Sequence, residues 1–419
     1  MINRSEAPAL STIESIDFVA PKIHRINDMV NLLHMDEVAN ETSRFDLYFD
    51  AGKIRGEKSI ASFVSGLLMS GTHEKSAIQI QEEINALGGF IETGISAESS
   101  VISMYCLNEN LLALFEIITD AITHVSFDAQ EVKDFISDRK QKLQINREKV
   151  SFLAQANFQK ELFASDAKYA QVLEDDHFDA LTVENLKSFH KDFYLQGLER
   201  VVVVGDLPSS QIARICNMAK IMAFTQKPIF AESLQNKAGR IEVFKKDAIQ
   251  SAIRVGRTLF NKNHEDFQDI LILNTILGDF FGSRLMANIR EDKGYTYGIG
   301  SMIAELQNTG YFLIATEVGA DVREKAIDEI KFEIERLQNE LVTEGELELV
   351  RNYMRGQLLK SADGPYAMVD LYLSAVLQGK DLEFYNEALH SINSITAERL
   401  QELAKKYLDW NDLTIVTAG

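Results

Sequence analysis

Apolar residues follow two different periods along the chain. They recur at helical spacing over residues 60–69, 111–122, 131–144 and 322–341, and this spacing predicts amphipathic helices. Short runs rich in β-branched and aromatic residues predict strands at residues 45–49, 101–106, 201–204, 253–255, 311–316 and 413–417. Long helices between short, scattered strands are typical of the α+β class, in which helices cover one face of a mostly antiparallel sheet.

The end of the chain repeats the pattern of its middle. Residues 182–205 and 396–419 align without a gap, and each copy reads as an amphipathic helix, a short turn and a β-branched strand that ends in glycine. The alignment pairs Thr182 with Thr396, Leu186 with Leu400, Val202 with Val416 and Gly205 with Gly419. This separation is too long for a solenoid repeat. It predicts two duplicated domains of similar fold.

The boundary between the domains is expected after the first copy of the repeat. Gly205 and Pro208 supply turn chemistry there, and residues 224–238 look like an exposed linker. The predicted domains are residues 1–220 and 221–419. A chain of 419 residues is long enough for two cores of ordinary size.

The composition of the chain excludes some classes of binding partner. The formal net charge of −20 argues against nucleic acid and anionic membranes as partners, because both require a basic face. It leaves basic peptides or proteins open. The two cysteines show no metal-binding spacing, and no apolar stretch is long enough for a membrane helix. The N-terminus lacks the pattern of a signal peptide, so we expect a cytoplasmic protein; a periplasmic one would need a leader.

Several short motifs follow one another in a recognisable order. The segment GSRLMANIREDKGYTY covers residues 282–297, and Leu277-Gly278 precedes it. In the first half, Gly71-Thr72, Leu87-Gly88-Gly89 and the segment 107–111 occur in sequence. Their order resembles that of the pitrilysin/insulinase family of zinc peptidases over essentially the whole chain. The resemblance implies a two-domain peptidase fold.

The resemblance also locates a missing motif. Catalytic members of that family carry His-x-x-Glu-His on a helix shortly before the Gly-Thr pair, because residues four apart share one helical face and two histidines there can bind one Zn²⁺. The three positions fall here on Ser62, Ser65 and Gly66. The family's third ligand, a glutamate on a later helix, would fall within residues 131–142, at a position that the sequence leaves open.

No other part of the sequence offers a zinc motif. No two of the eight histidines are three or four residues apart. We therefore expect no metal and no cofactor in this chain; the resemblance implies that zinc is bound by a partner subunit.

Arg290 and Tyr297 match a second catalytic element of the family. The family's Arg and Tyr are seven residues apart, and Gly294 supplies a helix end between them here. A phenol can donate a hydrogen bond to the carbonyl oxygen on which charge develops, and a guanidinium can hold substrate carbonyls. The resemblance therefore implies catalytic and substrate-binding roles for Arg290 and Tyr297. The alternative is structural: an arginine favours a helix C-terminus in any protein, and Tyr295 and Tyr297 could be ordinary strand residues.

Some members of this family divide the work between two chains. One chain carries the zinc helix, and the other lacks it but keeps the Arg/Tyr pair. The sequence fits the second type, so the resemblance implies a heterodimer with a homologous zinc-bearing subunit and a peptide or unfolded segment as substrate. This chain alone is then inactive. The alternatives are a non-enzymatic core or scaffold subunit and a peptide-binding subunit of the same fold.

Overall fold

The computed structural model describes residues 13–36, 38, 41–224, 230 and 234–419. The expectation that the chain has no signal peptide rests largely on residues 1–12, which lie outside this set. Among the described helices, none is long and apolar enough to cross a lipid bilayer.

The first sheet has six strands in the order β1-β2-β6-β3-β5-β4. Only β2 and β6 pair in parallel; the other neighbours are antiparallel. The strands are β1 Lys22–Arg25, β2 Asn31–Met35, β3 Thr42–Phe49, β4 Phe90–Ile95, β5 Ser100–Leu107 and β6 Leu198–Val204.

The second sheet has five strands in the order β7-β11-β8-β10-β9. They are β7 Gly239–Val243, β8 Gln250–Leu259, β9 Thr296–Glu305, β10 Gly310–Gly319 and β11 Thr414–Ala418. Without β1, the first sheet has the same order, and each sheet has one parallel pair at the corresponding place. The α+β class with two duplicated domains is confirmed.

Fourteen α-helices among the described residues cover these sheets. In the first half they are α1 Ile60–Leu67, α2 Ala77–Ala86, α3 Leu111–Thr123, α4 Ala129–Arg147, α5 Val150–Leu162, α6 Asp175–Asp179, α7 Val183–Phe193 and α8 Ser209–Ala219. In the second half they are α9 Phe267–Leu277, α10 Arg323–Asn339, α11 Glu344–Ser361, α12 Gly364–Val376, α13 Glu383–Ser394 and α14 Ala397–Tyr407. Helices α7 and α14 are the helical parts of the predicted repeat.

Alternation along β3 separates the two faces of the first sheet. Phe45, Leu47 and Phe49 point into the first core, where the ring of Phe45 lies 5.0 Å from that of Phe115 on α3. Arg44 occupies the opposite face together with other polar residues of β3. The second core is built in the same way around β8 and β10.

Helices cover both faces of each sheet, which differs from the expectation of one covered face. Each second face is covered by a helix from the other half of the chain. Helix α12 packs on β2 and β6, and α5 packs on β8 and β11. Small residues allow the close approach of α5, since Ala154 meets Ala252 and Ala418. The halves are therefore interlocked, and the boundary predicted at residue 220 stays a prediction.

The segment predicted as an exposed linker is partly buried. Leu234 is 7% exposed and packs with Phe158 of α5, and Phe230 is partly buried against the same cluster. The remaining residues of 225–233 lie outside the described part of the chain. An apolar residue in a linker contributes to packing when the two halves are interlocked.

Candidate functional site

Helix α1 carries Ser62, Ser65 and Gly66, the three positions that correspond to the family's zinc motif. Its apolar residues pack in the first core, which fixes the outward direction of the others. Ser65 is buried, Ser62 is half-buried and Gly66 is exposed. Ser65 lies near the hydroxyl of Tyr194, a phenol whose pKa is raised to about 12 by burial.

The space in front of Gly66 is filled by helix α4. A Cβ atom at Gly66 would lie 2.6 Å from the ring of Phe135 and 3.1 Å from a guanidinium nitrogen of Arg139. Arg139 stacks on Phe135, with 5.0 Å between the guanidinium carbon and the ring centroid. Both residues lie in the range 131–142, where the family's third ligand was expected.

These residues do not fit a zinc ion. Serine hydroxyls and a glycine are not the imidazole and carboxylate donors that zinc sites use, and Arg139 brings a positive charge to the place. Across residues 13–36, 41–224 and 234–419, no three His, Cys, Asp or Glu side chains cluster closely enough to hold a metal ion. The expectation of zinc in a partner subunit is untouched by this geometry and stays a prediction.

Arg290 lies in a π-helix, Met286–Asp292, rather than at the end of an α-helix. The wider turn is closed by the backbone N–H of Lys293, which donates to the carbonyl of Asn288 at 2.9 Å. Gly294 follows with φ +66, so it ends the helix as expected. π-Helical turns are frequent at functional sites.

The Arg290 guanidinium rests on an aromatic ring. Its central carbon lies 4.6 Å from the ring centroid of Phe281, whose residue is 63% exposed. Within the described part of the chain, no carboxylate pairs with Arg290 and no group hydrogen-bonds it. Its N–H donors are therefore free for a ligand.

Tyr297 stands on edge strand β9 at a β-bulge. Thr296 pairs with Val318 and Ile299 with Thr316, so Tyr297 and Gly298 together oppose the single residue between those partners. Bulges re-aim side chains, and Tyr297 is 95% exposed. Its hydroxyl has no hydrogen-bond partner among the described residues.

The structure distinguishes Tyr297 from its neighbour Tyr295. Tyr295 precedes β9, packs against the second core and donates its backbone N–H to the carbonyl of Ile289 at 3.0 Å. The two tyrosines are thus not equivalent residues on one strand face. The π-helix also packs against β9, so Arg290 and Tyr297 belong to adjoining elements.

The Ser283-Arg284-Leu285 part of the motif has a structural use. Arg284 is buried and donates two hydrogen bonds to Glu346 on α11, at 2.7 and 2.9 Å. Leu285 is fully buried in the second core. The start of the segment that carries Arg290 is therefore fixed from two sides. Local sequence gave no signal for Glu346 or Phe281, because each is brought to its partner by the tertiary fold.

A cavity of about 1070 Å³ lies between the two halves, and none of the five predicted site residues lines it. Arg44 pairs there with Asp370 of the second half. Burial, reinforced by the charge of Asp50, raises the pKa of the Glu199 carboxyl to about 7. Burial lowers the pKa of the neighbouring Arg200 guanidinium. This mixed-charge cavity is separate from the Arg290/Tyr297 region.

Two family models together match most of the chain. Residues 33–176 match the model described as insulinase (peptidase family M16), and residues 180–354 match the model described as the peptidase M16 inactive domain. The junction between the two matches lies in the first half of the chain, before the repeat.

Individual relatives agree with these matches. The chain is 22% identical over 351 residues to a Bacillus subtilis protein named uncharacterized zinc protease YmxG, which covers 83% of this chain and 85% of that protein. It is 24% identical over 238 residues to the same organism's probable inactive metalloprotease YmfF, covering 56% and 55% of the two chains. A crystal structure of a peptidase M16 inactive domain from Pseudomonas fluorescens superposes with a TM-score of 0.85 at 20% identity, covering 96% of this chain and 98% of that one.

Proposed function

The chain belongs to the insulinase family of peptidases, M16, and from this premise we propose that it is the zinc-free subunit of a two-chain metalloendopeptidase. Its partner would be a homologous chain that carries the zinc helix, and its substrate a peptide or an unfolded segment. Arg290 and Tyr297 would complete the partner's active site.

One observation carries this proposal: of the two catalytic elements of the family, this chain lacks the zinc motif and keeps the Arg/Tyr pair. Ser62, Ser65 and Gly66 offer no zinc donor, and Phe135 and Arg139 fill the space beside Gly66. By contrast, Arg290 and Tyr297 are accessible, and among the described residues no group pairs with them. Polar donors that have no partner in the chain itself are available to hydrogen-bond a ligand.

The chemistry of each side chain suggests its role. The Tyr297 hydroxyl would donate a hydrogen bond to the scissile carbonyl oxygen as negative charge develops there. The Arg290 guanidinium would hold neighbouring backbone carbonyls, since it presents several donors in one plane. The attacking water would be activated on the partner chain.

The edge strand offers a place for the substrate backbone. β9 pairs only with β10 among the described strands, and on its other edge the Ser301 N–H donates to the carbonyl of Gly278 at 3.0 Å, so a substrate strand would have to add beside the remaining residues of that edge. An extended peptide could add there as a further strand, as in other cases of β-augmentation. The net charge of −20 would favour basic peptides if part of it faces the substrate.

Reconstitution tests the proposal. The chain is co-expressed with the His-x-x-Glu-His-bearing homologue of its native host, and cleavage of an unfolded fluorogenic peptide is measured with each chain alone and with both. We expect activity only in the complex, and stoichiometric zinc in the partner and in the complex but not in this chain alone. Arg290→Ala and Tyr297→Phe should each lower kcat/KM by roughly 10²–10³-fold, the usual effect of removing one oxyanion donor.

Two matched controls accompany these variants. Tyr295→Phe removes the hydroxyl of the packed neighbour, and Arg214→Ala removes an exposed arginine of the first half; both should retain activity. Full activity after Arg290→Ala and Tyr297→Phe would show that the assigned roles are wrong. No activity with any zinc-bearing homologue would favour a scaffold or peptide-binding subunit.

A further inference from the structure

Arg290 lies on an aromatic ring and has no charged partner among the described residues. Among the described residues, most arginines that are half-buried or buried pair with a carboxylate, as Arg284 does with Glu346. Arg290 is instead oriented by the ring of Phe281, 4.6 Å from its central carbon. A ring covers one face of a guanidinium and leaves the in-plane N–H donors free, whereas a carboxylate would occupy them.

Tyr297 is positioned by a pair of threonine hydroxyls behind the bulge. The Thr316 hydroxyl lies 2.9 Å from the carbonyl oxygen of Gly298 and 3.0 Å from the hydroxyl of Thr296. The Thr296 hydroxyl lies 2.7 Å from the carbonyl oxygen of Glu317 and accepts the N–H of Gly298 at 3.1 Å. A bulge interrupts the backbone hydrogen bonds between paired strands. The bonds of the two threonine hydroxyls take their place and fix the backbone around Tyr297.

We propose that Phe281 and Thr316 are positioning residues, which hold Arg290 and Tyr297 in their working orientation before any partner or substrate binds. The inference rests on the proposed function and adds two residues to it. Donors fixed in advance need not reorganise when charge develops on the substrate. A preoriented arginine also loses less side-chain freedom on binding.

Kinetics of the reconstituted complex test the two residues separately. Phe281→Leu keeps an apolar side chain but removes the ring face, so the KM for the peptide should rise roughly five-fold, while Phe281→Trp should restore it. Phe332→Leu is the matched control, because Phe332 is also exposed and lies under an arginine, Arg336, on α10. It should leave KM and kcat unchanged.

Thr316→Val removes the hydroxyl and keeps the shape of the side chain. We expect kcat to fall roughly ten-fold with little change in KM, since Tyr297 acts in the transition state, and Thr316→Ser to recover most of it. Thr417→Val is the control: Thr417 is equally buried in the same sheet, and its hydroxyl has no partner in the described part of the chain. Thermal melts verify that all variants fold.

A measurement on the isolated subunit needs no partner. The order parameter of the Arg290 Nε–H group, assigned with Arg290→Lys, should be high in the unaltered chain and in Phe332→Leu and should fall in Phe281→Leu. An equally mobile guanidinium in all three overturns the inference. Loss of peptidase activity in Arg290→Ala with unaltered kinetics in Phe281→Leu and Thr316→Val would also overturn it, while the proposed function stands. Full activity in Arg290→Ala would overturn both.

Discussion

Two helical glycines show that the surroundings decide whether a glycine-to-alanine substitution stabilises or destabilises the protein. Gly66 on α1 faces Phe135, whereas a Cβ at Gly356 within α11 would meet no atom within 4 Å other than its own helical backbone and its chain neighbours. Gly66→Ala should destabilise the protein by about 1–3 kcal/mol through overpacking. Gly356→Ala should stabilise it by roughly 0.5–1 kcal/mol, because alanine favours a helix more than glycine does. Urea unfolding measures both.

A double-mutant cycle identifies the cause at Gly66. In a Phe135→Ala background, Gly66→Ala should cost much less than it does alone, because the ring that the methyl group meets is gone. An equal cost in both backgrounds would show that α4 does not fill the former ligand position. In that event, the argument against zinc binding would rest only on the absence of zinc donors at Ser62 and Ser65.

At this scale, the sequence predicted the identity of the site residues but not their surroundings. Arg290 and Tyr297 could be singled out because their spacing and order resemble a known family. Phe281 and Thr316 could not, since their contacts depend on where the chain folds back. The catalytic and substrate-binding roles themselves stay predictions.

At the scale of elements, an ion pair between a buried arginine and a half-buried glutamate joins α11 to the residues just before the π-helix. Arg284 is buried and donates both hydrogen bonds to Glu346. Glu346→Gln should lower the free energy of unfolding by about 1.5–3 kcal/mol, because charge-assisted bonds to a buried guanidinium are lost. Glu335→Gln, which breaks an exposed pair with Lys331 on α10, should change it by less than about 0.5 kcal/mol. Equal effects in urea unfolding would contradict this assignment.

Hydrophobic periodicity predicted the elements of the repeat and several long helices, and one segment that it did not predict correctly is informative. The repeat appears as α7 with β6 and as α14 with β11, since the same apolar spacing was present in both copies. Around Arg290 the sequence predicts an ordinary helix end, whereas the structure has a π-helical turn. One extra residue in a turn changes the backbone bonds and barely alters a short apolar pattern, so periodicity does not reveal it.

At the scale of the whole molecule, duplication was predicted and the interlocking of the halves was not. An amphipathic pattern shows that a helix has an apolar face, but not which sheet receives it. A Cβ atom at Gly256 on β8 would lie 2.9 Å from the ring of Phe158 on α5. The glycine therefore leaves room for a ring that comes from the other half of the chain. Val369 of α12 is likewise fully buried against the first sheet.

Interlocking predicts that neither half is stable alone. A chain of residues 1–220 would expose the apolar face of α5 and leave one face of its sheet uncovered; a chain of residues 221–419 would lose α5 in return. We expect each half to aggregate or unfold when expressed separately, and the two to form a soluble 1:1 complex when co-expressed, as size-exclusion chromatography would show. A protease site inserted between residues 225 and 229 provides the control, because the cleaved full chain should stay associated. Independent, monomeric folding of residues 1–220 with a cooperative melt would contradict the interlocked arrangement, since an uncovered sheet face of that kind would then carry no measurable cost.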